Sequence, residues 1–171
     1  NFEELENIVK NNDIGIIKME VSRNFQPKDG FLKKIRKLCD RKKIILIFDE
    51  CTSGFRQTFG GLHKIYGVNP DMAWFGKAMG NGYSIAAIIG KREIMDHAQD
   101  TFMSSTFWTE RSGPVAALET LKQMEKIKSW KIITKKGLKI QKNWKLLAER
   151  NNLEINVMGI PALSSFILDS Q

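Results

Sequence analysis

The chain has 171 residues and a mass of 19.6 kDa, and 42% of its residues are hydrophobic while 27% are charged. This balance fits one compact domain, or a large piece of one, and argues against a disordered chain. The longest apolar runs, such as residues 85–89, are far shorter than the roughly 18 residues that a membrane-spanning helix needs. We therefore expect no membrane partner.

Basic residues exceed acidic ones by 27 to 19, which gives a formal net charge of +8. Much of the excess lies between residues 122 and 145, where lysines alternate with apolar residues at helical spacing. This pattern predicts the solvated outer face of one or two amphipathic helices. A nucleic-acid-binding surface is the alternative. The lysines are Lys122, Lys126, Lys128, Lys131, Lys135, Lys136, Lys139, Lys142 and Lys145.

Two cysteines, Cys39 and Cys51, are too few and too far apart for a disulfide scaffold or a CxxC zinc site. We therefore expect a reducing, cytoplasmic setting. The chain starts at Asn1 without the pattern of a signal peptide, and it ends on an apolar run, residues 165–169, that is typical of a strand. We expect a piece of a longer chain.

The first half of the chain alternates apolar runs with helical stretches, as α/β domains do. A strand is predicted at 14–20, followed by a loop at 27–30 in which Asp29 caps a helix that runs to about Asp40. The apolar, β-branched run 43–48 predicts a central strand of a parallel sheet with both faces covered.

The alternation continues after a glycine-rich loop at 54–61. Two short strands bracket the glycine-containing segment 76–82, where the backbone can turn sharply and approach a ligand. We place a domain boundary near residue 150. The predicted elements are strands at 72–75 and 85–89, helices at 113–128 and 130–150, and strands at 153–157 and 164–168.

Two acidic residues, Asp49 and Glu50, follow the predicted central strand directly. Ligands of parallel α/β sheets bind beyond the carboxyl ends of the strands, so these residues could hold a metal, act as a general base or pair with a ligand cation. A capping or loop carboxylate is the alternative. The same run resembles a Walker B strand, but no GxxxxGK[ST] phosphate loop occurs in the sequence.

Lys77 lies between Gly76 and Gly80, with a predicted strand on either side. In a confined place its pKa would fall, which would make it a nucleophile for Schiff-base chemistry, whereas a surface lysine in a flexible loop is the alternative. His63 and His97 lack the spacing of a zinc site. Cys51 with His63 could form a nucleophile pair, but a buried, inert cysteine explains Cys51 as well.

Three ordered segments carry a family resemblance. Residues 48–56 read Phe-Asp-Glu-Cys-Thr-Ser-Gly-Phe-Arg, residues 66–71 read Tyr-Gly-Val-Asn-Pro-Asp, and residues 75–82 read Phe-Gly-Lys-Ala-Met-Gly-Asn-Gly. Together they resemble the class III aminotransferases, fold-type I enzymes that use pyridoxal 5'-phosphate, and in particular the glutamate-1-semialdehyde 2,1-aminomutases. The resemblance implies a three-layer α/β sandwich with a mainly parallel sheet, of which residues 1–150 are part of the large cofactor-binding domain. Residues 151–171 would begin the small C-terminal domain.

The resemblance also implies residue roles. Lys77 would form the Schiff base with the cofactor and shuttle the proton, and Asp49 would pair with the pyridine nitrogen. Cys51 would pack on the ring, Thr52 would bond the ring hydroxyl, and Thr106 would reach the cofactor phosphate across a homodimer interface. The partners implied are an amino donor, a carbonyl acceptor and a second copy of the chain that shares the sites.

The sequence departs from the family pattern at three places. The usual Glu-Pro-Val is replaced at 20–22, the triple glycine is interrupted at 80–82, and the segment 107–111 is longer than usual. The last departure bears on the choice between transaminase and aminomutase. The same departure suggests that Glu110 or Arg111 contacts the substrate. A purely structural role for these two loop residues is the alternative. We expect the isolated chain to be inactive, and a non-catalytic remnant or a nucleic-acid-binding module is the alternative function.

Overall fold

The computed structural model of the chain describes residues 1–28, 30–104, 106–107 and 109–168. The predicted cap Asp29 and the strand end Asp169 lie outside the described residues. The helices are α1 Phe2–Asn11, α2 Phe31–Lys42, α3 His63–Tyr66, α4 Arg92–Met95, α5 Ser112–Ile127 and α6 Ser129–Arg150. The strands are β1 Ile16–Glu20, β2 Ile45–Asp49, β3 Met72–Phe75, β4 Ala87–Gly90, β5 Ile155–Met158 and β6 Ser165–Leu168.

A four-stranded sheet in the order β1-β2-β3-β4 forms the centre of the fold. The first three strands are parallel and β4 runs antiparallel to β3. Asp49 at the end of β2 lies in register with Glu20 on one side and Trp74 on the other. The predicted α/β class with a mainly parallel sheet is confirmed.

Two apolar clusters cover one face of this sheet. Leu46 and Phe48 of β2 are fully buried against residues of α1 and α2, such as Val9 and Ile35. A second cluster joins Phe75 of β3 to α5; its buried members are Phe55, Ala73, Phe75, Met79 and Ala117. Because side chains alternate along a strand, these clusters account for every second residue of β2 and β3.

The opposite face of the sheet is covered at β2, where Ile47 is 6% exposed, and opens toward the outer strands. The expectation of a central strand with both faces covered therefore holds for the interior of β2 within the described residues. Ile16 of β1 and Ile88 of β4 lie on this open face and are 56% and 49% exposed. The helices α1, α2 and α5 all pack on the other side. Asp49 lies on the open face, because Phe48 before it points into the core.

The predicted strands and long helices are found with ends that differ by at most two residues from those expected. The break between the two long helices is a single residue, Lys128, in the left-handed conformation with φ of +52°. The four-residue helices α3 and α4 were not predicted, since a single turn carries no periodicity. Among the described helices, none is both long and apolar enough to cross a membrane.

Residues after α6 form an antiparallel pair of strands, β5 and β6. The turn between them packs on α6. There the backbone of Pro161 lies so close to Gly137 that no side chain would fit at this position. Ile160 in the same turn is 2% exposed and joins the first apolar cluster. The boundary near residue 150 stays a prediction.

Candidate functional site

Asp49 ends β2 with both carboxylate oxygens engaged. Oδ1 accepts a hydrogen bond of 3.1 Å from the Cys51 amide, and Oδ2 lies 3.0 Å from Nζ of Lys18. Partial burial raises the pKa of the Asp49 carboxyl, but the bonds from Lys18 and Cys51 lower it by more, so the net pKa lies below its usual value. Asp49 therefore presents a fixed carboxylate that is ionised at neutral pH.

Lys77 follows β3 at the same end of the sheet. Its Nζ donates a hydrogen bond of 2.6 Å to Oγ1 of Thr52, which lies in the loop after β2. Its backbone has φ of +43°, a left-handed conformation that is uncommon for residues with a side chain and that clusters at functional sites. Lys77 is exposed, so the predicted confinement is not provided by the described residues.

Cys51 lies between these two groups. Its Sγ faces Gly76, where an added Cβ would be 3.6 Å from the sulfur. Burial raises the pKa of the Cys51 thiol, and the neighbouring Asp49 carboxylate raises it further. A thiol held neutral in this way behaves as a small apolar group, which fits the predicted packing role better than a nucleophilic one.

Glu50 points away from Asp49 and into the protein. It is fully buried, and its carboxylate bonds to the Ser53 hydroxyl at 2.5 Å and to the amide and Nδ1 of His63 at 2.9 Å each. Burial raises the pKa of Glu50, but the bonds from His63 and Ser53 lower it by more, so the net pKa lies below its usual value. Glu50 is thus an anchor for the loop 50–63, which matches the alternative of a loop carboxylate.

The sequence contains a signal for this division of roles. Consecutive residues at a strand end point to opposite faces, so only one of Asp49 and Glu50 could share the side of Lys77. The partners of Glu50 were missed, because nothing in the spacing of Ser53 and His63 marks them as a pair.

The interrupted triple glycine has a backbone explanation. Asn81 has φ of +47° and Gly82 has φ of +105°, so both residues are in conformations that favour glycine. Asparagine is the side chain that tolerates the left-handed region best, since its short amide can bond locally. The turn after Lys77 is therefore retained in spite of the substitution.

A cleft of about 1040 Å³ opens beside Lys77 and runs along α5. Arg56, Tyr83 and Arg111 are among its lining residues, whereas Asp49, Cys51 and Thr52 are not. Thr106 lies in an exposed turn, and within the described residues no hydrogen bond joins it to the other four predicted residues. The structure therefore brings together four of the five predicted site residues.

These four residues fit pyridoxal phosphate by the chemistry of their donor set. A primary amine, a hydroxyl, a neutral thiol and an ionised carboxylate meet at the carboxyl ends of two parallel strands, where α/β sheets bind ligands. Pyridoxal phosphate carries an aldehyde, which reacts with an amine, and a pyridine ring, which is cationic when protonated and pairs with a carboxylate. A site for it therefore needs an amine and a carboxylate close together.

Comparison with known proteins supports the same conclusion. The model of the class III aminotransferase family matches residues 22–167. The chain belongs to the class III aminotransferase family. The cofactor of this family is pyridoxal 5'-phosphate.

Two curated relatives illustrate the range of the family. The chain is 41% identical over 136 residues to 3-aminobutyryl-CoA aminotransferase of Cloacimonas acidaminovorans, a match that covers 79% of this chain and 33% of the relative. It is 38% identical over 116 residues to glutamate-1-semialdehyde 2,1-aminomutase of Francisella tularensis, which covers 68% of this chain and 27% of the relative. The chain thus spans about a third of the length of these relatives.

Solved structures confirm the predicted fold-type I architecture. The FumI protein of a Sphingopyxis species, in its PLP internal aldimine form, matches with a TM-score of 0.89 at 23% identity, covering 98% of this chain and 42% of that one. Ornithine δ-aminotransferase of Plasmodium falciparum matches with a TM-score of 0.86 at 22% identity, covering 99% of this chain and 46% of that one. At this identity the likeness concerns the fold alone.

Replacing Glu50 by Gln should destabilise the chain by about 2 kcal/mol at neutral pH, because a buried donor loses its ionised acceptor. The folded-state pKa of Glu50 lies below its unfolded value, so its contribution is full above about pH 4.5 and is lost as the pH falls through the folded-state pKa. Denaturant unfolding from pH 3 to 7 should therefore show a weaker pH dependence in Glu50→Gln than in the wild type.

The matched control is Glu6→Gln, which removes an exposed ion pair of 2.9 Å with Arg41. It should cost less than about 1 kcal/mol. Equal losses in the two variants would contradict the anchoring role of Glu50.

Proposed function

We propose that the protein containing this chain transfers an amino group between a primary amine or amino acid and a carbonyl compound, or moves it within one molecule, with pyridoxal phosphate as cofactor. One observation carries the proposal. An amine, Lys77, and an ionised carboxylate, Asp49, lie at the adjacent ends of β3 and β2 with Cys51 and Thr52 between them. The family assignment supports it.

Each residue has a distinct task in this proposal. Bound pyridoxal phosphate supplies a ring that withdraws electrons from the carbon atom bearing the amino group. Lys77 Nζ binds the cofactor and, once released, carries the proton to and from that carbon. Thr52 Oγ1 orients Nζ before the reaction, and the ionised Asp49 keeps a proton on the ring nitrogen.

Replacing Asp49 by Asn tests this assignment, because the amide keeps the shape of the carboxylate but loses its charge. In the natural protein that contains this chain, we expect kcat to fall roughly 100-fold or more. The dissociation constant for pyridoxal phosphate should change much less, since the other contacts remain. Stopped-flow absorbance with an amino donor and equilibrium dialysis measure the two quantities.

Asp40→Asn is the control for that experiment, because Asp40 has an exposed carboxylate that pairs with Arg36 on α2, away from the site. It should leave both quantities unchanged. An Asp49→Asn variant with wild-type kcat would refute the proposed function.

The substrate that fits the cleft best carries an anionic group. Arg56 and Arg111 line the cleft together with Lys77, and Nε of Arg56 is buried without a hydrogen-bond partner among the described residues. Guanidinium groups bind carboxylates and phosphates well. The names of both curated relatives refer to substrates that carry such groups.

Arg111→Gln should therefore raise KM for amino donors with a carboxylate by roughly 10-fold or more, as expected for loss of a charged hydrogen bond. KM for a neutral primary amine should stay nearly constant, which makes that amine the internal control. Equal changes for both classes of donor would show that Arg111 has a structural role only.

We also propose a homodimer in which each site is completed by Thr106 of the second copy. The apolar side chains around Thr106 support an interface there, since Phe102 is 96% exposed and Phe107 is 55% exposed. The proposed setting is the cytoplasm, in agreement with two free thiols at Cys39 and Cys51. Residues 1–150 and 151–171 are proposed as parts of a large and a small domain.

Mixing two defective variants tests the shared site. Lys77→Ala and Thr106→Val should each lose most activity at low cofactor concentration, but in a mixed dimer one site keeps both wild-type residues. Random mixing of equal amounts should restore about a quarter of the sites. No recovery, with mixed dimers demonstrated by native mass spectrometry, would contradict sharing.

The alternative of a nucleic-acid-binding module gains no support from the lysine-rich helices. Their lysines are exposed along α5 and α6, which a solvated helix face and a nucleic-acid-binding surface would both show, so exposure does not single out the module.

A further inference from the structure

Lys18 holds a position that neither the motifs nor the proposed function assigns. It lies on β1, and its Nζ is 3.0 Å from Oδ2 of Asp49 and 4.3 Å from the ring centre of Trp74. Trp74 is the register partner of Asp49 on β3, so the three side chains share the open face of the sheet. The ammonium group is therefore held by a carboxylate and by the face of an indole ring.

This arrangement differs from an ordinary surface ion pair. Exposed pairs contribute little, because both partners are mobile and solvated. Here the Asp49 side chain is only 20% exposed, and a cation over an indole face gains a second attraction that restricts it. The Lys18 side chain is 44% exposed, so the pair is half-buried, with Asp49 as its more buried partner.

We propose that Lys18 is a positioning residue that shares the Asp49 carboxylate with the cofactor and so lowers the proton affinity of the pyridine nitrogen. The inference rests on the proposed function, in which the protonated ring nitrogen pairs with Asp49. That nitrogen would be the second cationic partner of Asp49, after Lys18. Lys18 itself does not touch the reacting atoms.

The physical argument is the repulsion between two cations on one carboxylate. An ammonium group at Oδ2 withdraws negative charge from Asp49 and repels a second positive charge at the same carboxylate. A protonated ring nitrogen is such a charge, and it should lose its proton at lower pH than it would beside an unshared aspartate. The electron-withdrawing power of the ring is thereby reduced.

Other charged groups near Asp49 do not replace Lys18. Glu20 is its register partner on β1 and forms its own pair of 3.5 Å with Arg23. Cys51 donates its amide to Asp49 and keeps a neutral thiol, and Lys77 bonds to Thr52. Within the described residues, Lys18 is the ammonium group that is paired with Asp49.

The first part of the test uses the natural protein without cofactor. NMR of the labelled carboxyl carbon of Asp49 should show titration at higher pH in Lys18→Met than in the wild type, because the stabilising cation is gone. Lys18→Arg keeps the charge and should titrate like the wild type. The matched control is Lys34→Met, since Lys34 also lies over an aromatic ring, 5.9 Å from the centre of Phe2, but on α2.

The second part uses the protein loaded with cofactor labelled at the ring nitrogen. In Lys18→Met the ring nitrogen should stay protonated up to a higher pH, as measured by its NMR shift. The wild type, Lys18→Arg and Lys34→Met should all lose this proton at a lower pH. Lys18→Gln provides a second neutral variant if Lys18→Met does not fold. If Lys18 had only a structural role, replacing it would leave the ring-nitrogen titration unchanged in every variant that folds.

The outcomes separate the two proposals. Identical nitrogen titrations in the wild type and the neutral variants, with cofactor bound at Lys77, would overturn the role of Lys18 and leave the proposed function intact. Failure of the wild type to take up cofactor would overturn both, and the cofactor-free titration would then still show whether Lys18 and Asp49 are coupled.

Discussion

The parallel register of β1, β2 and β3 is the constraint on which the rest of the structure depends. It sets Glu20, Asp49 and Trp74 side by side at one end of the sheet. Parallel strands require long crossovers, and the segments that leave β2 and β3 at this end carry the residues of the site. A slip of one residue in β2 would turn Asp49 into the core and expose Phe48, so burial of Phe48 fixes the side to which Asp49 points.

Asp49, the last residue of β2, and Glu50, which follows it, point to opposite sides because of this alternation. Glu50 enters the protein and ties down the loop that carries Cys51 and Thr52, while Asp49 stays at the surface of the sheet. The loop is also held close to β3, where a Cβ added at Gly54 would lie 2.8 Å from the ring of Phe75. Buried anchoring on one side thus supports a stationary, ionised group on the other, as a preorganised site requires.

Much of this was predictable from the chain. Periodicity and turn residues located β3 within its observed ends and both long helices within one residue, and the motifs selected Lys77 and Asp49. What could not be predicted depends on contacts between distant segments. The pairing of Lys18 with Asp49 requires the register of β1, and the bonds of Glu50 to His63 require the path of the loop. The sequence left open whether Lys77 is confined or exposed, because neighbouring glycines indicate a tight turn without indicating what covers it, and within the described residues Lys77 is exposed.

The central claim is that Lys77 is the residue that holds the cofactor. Borohydride reduction of the natural protein incubated with pyridoxal phosphate, followed by peptide mass mapping, tests it most directly. The account predicts one reduced adduct on Lys77, lost in Lys77→Ala and retained in Lys64→Ala, whose lysine bonds instead to the Phe59 carbonyl at 3.0 Å. Adducts scattered over exposed lysines, or an unchanged adduct in Lys77→Ala, would contradict the account.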